Sequence, residues 1–186
     1  MLAVLQDALA LAVLGILAGF AAPILISTGS GNHVALFSYY ALLNIAIFAI
    51  AWQRAWRVLN LIGFFFTYAI GTIWGVLAYR SSLFDSTEPF LLLFFAIYLV
   101  VPILYALKRA PEKRGAIDGT LVFGNPLAAF ALQGALLEWE RTPLAISALV
   151  LGIIYLLCAA SLLRRVRVLG DSSAVLALGF STLSVP

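Results

Sequence analysis

The chain has 186 residues, of which 64% are hydrophobic and only 10% charged, with a formal net charge of +3 and a mean hydropathy of +1.10. Soluble domains are typically ~45–50% apolar and ~25% charged, and a 20.0 kDa particle has too much surface to hide such an excess from water. The composition excludes a soluble enzyme, a secreted disulfide scaffold and a disordered chain, and implies a polytopic membrane protein.

A membrane-crossing helix needs ~20 mostly apolar residues, because the hydrocarbon core is ~30 Å thick and each residue rises ~1.5 Å. Met1 leads into Leu2, Ala3 and Val4 with no basic segment, so the first apolar run is expected to be a permanent span rather than a cleaved signal. No charge occurs between Asp7 and Arg54, a stretch too long for one helix. Small polar and glycine residues in a row mark a turn, and Ser27 to His33 is such a row. The first helix is therefore placed at about 2–26 and the second at 34–52. The third follows at 58–79, the fourth at 90–107, the fifth at 120–137 and the sixth at 144–163. A seventh apolar segment, 173–186, is ~20 Å long if helical, short of a full crossing. Either this segment is re-entrant, or, on the favoured reading, the chain is an internal or truncated section of something longer.

Cytoplasmic loops carry an excess of Lys and Arg. Arg54 and Arg57 follow the second helix, Lys108, Arg109, Lys113 and Arg114 the fourth, and Arg164, Arg165 and Arg167 the sixth. These are nine of the eleven basic residues, and Arg80 and Arg141 alone fall in the alternate loops. The N-terminus is thus expected in the cytoplasm. Trp52, Trp56 and Tyr105 fall at inner helix ends, and Tyr39, Trp74, Tyr79 and Trp139 at outer ones, as interfacial aromatic belts require. The expected fold is all-α: one polytopic transmembrane bundle over residues 1–186, with six full spans and a partial seventh.

Small residues repeat every four positions at Gly63, Thr67, Gly71 and Gly75, and again at Gly15 and Gly19. Such stripes let helix backbones approach closely in lipid. They predict helix-packing seams, which Gly71→Leu should disrupt.

Ionisable residues inside spans usually mark ion or proton pathways, and here they are nearly absent, which weighs against an ion-coupled pump. The mid-span polar residues are amides and hydroxyls. Tyr40 and Asn44, at i and i+4, share one face of the second helix, and Gln133 lies in the fifth. Together they are the candidate polar cavity, with interhelical hydrogen bonding as the plainer reading. Gly124-Asn125-Pro126 is expected to break the fifth helix, since Pro removes a donor and disfavours helix at the residue before it. Broken spans can flank transport sites.

No catalytic residue, cofactor or metal site is indicated. His33 is the single histidine and Cys158 the single cysteine. The Ser27–His33 glycines lack the Lys-Ser/Thr of a phosphate loop, and the basic clusters are explained by topology rather than by nucleic acid. The expected partners are the lipid bilayer and further transmembrane helices of a longer chain. Three functions stay open: a structural or envelope-associated membrane component, a carrier for a neutral or amphipathic solute, and an envelope enzyme acting on lipid-linked substrates through Asp85, Glu88 or Glu138.

Several segments resemble a known family. They are the run Ser27 to Tyr40, Trp52 to Arg57 with Leu59 to Phe64, Gly71-Thr72-Ile73-Trp74-Gly75, Thr87-Glu88-Pro89-Phe90, and Asp118 to Gly124. In order and spacing they resemble the bacterial multi-pass membrane proteins grouped as domain of unknown function 2339. The resemblance covers nearly the whole chain. It implies a bacterial inner membrane and a longer chain with more helices, and it supplies no catalytic residues.

Overall fold

A computed structural model describes residues 2–26, 32–54, 56–108, 116–162 and 167–184. Ser27 to Gly31 of the expected first turn, and the basic residues Arg109, Lys113, Arg114, Arg164 and Arg165, lie outside the described residues. Among the described residues the fold is all-helical, with seven α-helices and no strand. They are α1 (Leu2–Ile26), α2 (His33–Arg54), α3 (Arg57–Ala78), α4 (Phe84–Lys108), α5 (Ala116–Leu136), α6 (Arg141–Leu162) and α7 (Arg167–Leu183). A single 3₁₀ turn, Ser81–Leu83, leads into α4.

Among the described residues, five helices are long and apolar enough to cross a membrane: Asp7–Leu25, His33–Gln53, Val58–Ala78, Ser81–Tyr105 and Arg141–Ala160. The apolar parts of α5 and α7, Thr120–Leu136 and Ser173–Leu183, are shorter. Many large apolar side chains face outward, and several polar ones are buried beside the apolar core. Leu25 and Val76 are each 81% exposed, while Asn44, Asn60, Thr67, Asn125, Gln133 and Ser173 are buried. Large apolar side chains facing outward on this scale suit a surface covered by lipid or by further helices.

The chain forms two compact units, Met1–Phe94 and Phe95–Pro186, with the boundary inside α4. In the first unit α2 packs on α3, and α1 packs on both. The ring of Phe20 stacks on those of Tyr40 and Phe66, each 5.4 Å away. In the second unit α6 and α7 form the most extensive pair, with α5 against both. Tyr155, Phe180, Phe130 and Phe95 make its aromatic centre.

Two expectations change here. The helical run of α5 continues through Gly124-Asn125-Pro126, where a break was expected. Proline withdraws one donor and leaves the other helical bonds of the span in place, and neighbouring helices can bond the groups that are freed. The small-residue stripe on α3 also divides. Gly63 and Thr67 are buried, but an added Cβ at Gly71 or Gly75 would meet nothing within 4 Å, and the same is true of Gly15. Among the described residues, a Cβ at position 71 therefore has room. Gly19 does make a contact, with Leu43 Cδ1 3.2 Å from an added Cβ.

The tight seam lies instead between α6 and α7. A Cβ on Gly152 would sit 3.0 Å from Ser181 Oγ and 3.4 Å from the Ala177 carbonyl oxygen. Ala148 and Gly152 on α6, and Ser173, Ala177 and Ser181 on α7, are spaced four apart, so each set forms one small-residue stripe.

Candidate functional site

The first cluster sits where α2 and α4 begin. Asn32 caps α2, its Oδ1 accepting from the Ala35 N–H at 3.0 Å, which satisfies one of the four donors that every helix start leaves open. His33 is the next residue. On α4, the Ser86 hydroxyl donates to the Leu83 carbonyl at 3.0 Å. Ser86 Oγ also lies 2.8 Å from His33 Nε2, in a hydrogen bond whose direction follows the imidazole tautomer.

Aromatic rings enclose this pair. Trp74 of α3 lies 5.2 Å from the His33 ring and 5.0 Å from Phe37, and Phe37 meets Phe90 at 5.6 Å and Phe94 at 6.4 Å. Thr87, next to Ser86, is only 6% exposed, and its Oγ1 has no hydrogen-bond partner among the described residues. The sequence gives no local sign of this junction, because His33 and Ser86 are 53 residues apart.

The second cluster binds α1 to α2. Pro23 lies inside α1 and has no N–H, so the carbonyl four residues earlier, that of Gly19, lacks its helical donor. The Tyr39 hydroxyl donates to this carbonyl at 2.9 Å. Its neighbour Tyr40 donates to the Phe20 carbonyl at 3.0 Å.

Of the expected polar cavity, Tyr40 and Asn44 belong to the first unit and Gln133 to the second. The amide of Asn44 donates one hydrogen to the Tyr40 carbonyl at 2.9 Å and the other to Thr67 Oγ1 of α3 at 2.7 Å. Sequence reasoning placed Thr67 in a packing stripe and missed its role as the acceptor. In the second unit, Asn125 is fully buried and donates to the Phe95 carbonyl of α4 at 3.0 Å. Gln133 is buried on α5.

The second unit also holds a small pocket of about 10 Å³, lined by residues that include Tyr98, Leu121, Tyr155, Cys158 and Ser173. That is space for about one water, and Gln133 is not in its lining. Asp85 and Glu138, carboxylates of the enzyme reading, are exposed and Glu88 is partly so. Among the described residues no three His, Cys, Asp or Glu side chains come together as a metal site.

The family described as predicted membrane protein, DUF2339, matches the chain over residues 1–186. The chain belongs to this family. No curated protein and no solved structure matches it. For this DUF2339 protein the family description and the five long apolar helices agree on an integral membrane protein.

Proposed function

We propose that this DUF2339 protein is a structural, envelope-associated component of the bacterial inner membrane. Its bundle has six full spans and a partial seventh, and its N-terminus is cytoplasmic. The observation that carries this reading is the amide of Asn44. It is the best-placed mid-span polar group of the first unit, and both of its hydrogens are donated to neighbouring protein groups. A carrier would need such a group to face an aqueous path. Tyr39, Tyr40 and Asn125 likewise bond helix backbones, which is how polar side chains join helices in lipid.

The 17 residues of Thr120–Leu136 reach the lower limit of ~17–25 for a crossing, which supports counting α5 as the sixth span. Ser173–Leu183 falls below that limit and supports a partial seventh. The loop positions of nine of the eleven basic residues support the orientation. In this reading Gly19, Gly63 and Thr67 serve helix packing, and further transmembrane helices are the partners.

Accessibility labelling tests both parts. An Asn44→Cys variant in a Cys158→Ala background is expected to resist a water-soluble maleimide; ready labelling would favour the carrier. Cysteines introduced between Lys108 and Arg114 are expected to label only from the cytoplasmic side, and labelling from outside would reverse the orientation.

A further inference from the structure

We propose that the small pocket of the second unit is a site for one water molecule, which accepts from the Tyr155 hydroxyl of α6 and donates to the Tyr98 carbonyl of α4 and the Val122 carbonyl of α5. All three residues line the pocket, and all belong to the same compact unit.

Two prolines create the need for it. α4 continues through Pro102 and α5 through Pro126, and neither residue has an N–H to give the carbonyl four positions earlier. Those carbonyls belong to Tyr98 and Val122. Pro102 lines the pocket as well, and a helical carbonyl points along the axis toward the residue four ahead, so the Tyr98 oxygen lies between two lining residues. In lipid, a backbone group that loses its helical donor is satisfied by neighbouring helices, by hydroxyl side chains or by ordered water. Each carbonyl has two lone pairs, so either can accept from water whatever else it meets.

Tyr155 supplies the third contact independently of the prolines. It is 2% exposed, and its ring lies against those of Phe95 and Phe180. A phenol hydroxyl buried in such surroundings needs a hydrogen-bond partner. The volume of about 10 Å³ is close to the least that holds a water, and a buried water typically makes ~3 hydrogen bonds, the number available here. Leu99 and Ile103 belong to the apolar remainder of the wall, which confines the water to its polar side. The water thus joins α4, α5 and α6 where α4 and α5 each lack one helical bond.

The test is water-edited solid-state NMR of the full chain, labelled with ¹³C in tyrosine, valine and leucine, in vesicles of deuterated phosphatidylglycerol. Magnetisation from water is expected to reach Tyr155 Cζ and the carbonyl carbons of Tyr98 and Val122. It is not expected to reach the carbonyl of Leu156, an exposed residue of the same helix as Tyr155. Pro126→Ala gives Val122 a helical N–H again, and should remove the Val122 signal while that of Tyr98 stays. Tyr155→Phe should remove both carbonyl signals; where it does not fold, Pro126→Ala carries the readout. The native Cys158 lines the same pocket and is expected to resist a water-soluble maleimide, because the space admits one water and no reagent. Absence of transfer to Val122 and Tyr155 in the native chain, an unchanged Val122 signal in the variants, or ready labelling of Cys158 overturns the proposal.

Discussion

Tyr39→Phe removes one hydroxyl and leaves the ring in place, and its effect should depend on a residue of another helix. Tyr39 donates to the Gly19 carbonyl, which lacks a helical donor because position 23 is proline. Polar bonds between helices in lipid average ~0.6 kcal/mol and reach ~1.7, whereas a buried acceptor left unsatisfied costs ~1–3. Tyr39 is 39% exposed, so water reaches part of the site, and the loss should be about 1 kcal/mol. In a Pro23→Ala background the new backbone N–H can bond Gly19, and Tyr39→Phe should then cost close to nothing. The coupling in this double-mutant cycle is therefore expected to be about 1 kcal/mol, larger than the additivity of independent sites permits. Tyr40→Phe serves as a control, because the Phe20 carbonyl it bonds is four residues before Ile24, which has an N–H, and its coupling to Pro23 should be small. The assay is reversible unfolding in mixed micelles, followed by helical circular dichroism. Equal costs of Tyr39→Phe with proline and with alanine at position 23 would refute the reasoning.

Asn44→Leu and Thr67→Val break the same bond, so each should destabilise by about 1 kcal/mol and the pair by less than the sum; strict additivity in the same unfolding assay would show that they do not act together. Gly152→Leu should disrupt the α6–α7 seam, where Ser181 Oγ and the Ala177 carbonyl crowd an added Cβ, while Gly71→Leu should leave protease resistance unchanged because its Cβ meets nothing. The reverse ranking in limited proteolysis would place the seam on α3. Gly134→Ala should displace Trp139, whose ring carbon Cζ3 would lie 2.6 Å from the new Cβ, and a red shift of tryptophan emission measured against Trp139→Phe would report it; an unchanged spectrum argues against that packing.

The helices were legible because a bilayer imposes one demand on every span, an apolar run closed by polar residues. Charges and turn residues therefore located α1, α2, α3, the body of α4, and α6. The ends were less legible. α4 begins at Phe84, ahead of the expected start at residue 90, and Asp85 in its first turn complements the macrodipole. α7 extends back to Arg167 for a related reason: a helix may continue past its apolar part into polar surroundings. The continuity of α5 through Pro126 was misjudged because proline's local preference was weighed without the rest of the span.

Pairings across helices were the least legible feature, and the reason is physical. In water, the apolar face of a helix shows which side packs inward. In lipid both faces can be apolar, so periodicity loses that information. What then fixes the partner of each helix is a small number of hydrogen-bonding and small residues whose mates lie far along the chain. Asn44 could be seen as important from its position, but only the fold shows that Thr67 receives its hydrogen. Gly71-Thr72-Ile73-Trp74-Gly75 carries the better-known spacing, yet the close approach is at Gly152 against Ala177 and Ser181. Spacing identifies a stripe able to pack, and the neighbour it meets decides whether it does. The polar residues of this chain are thus most informative as pairs, and substitutions that test both partners together, as at Tyr39 with Pro23 and at Asn44 with Thr67, separate packing from any solute path more sharply than single changes do.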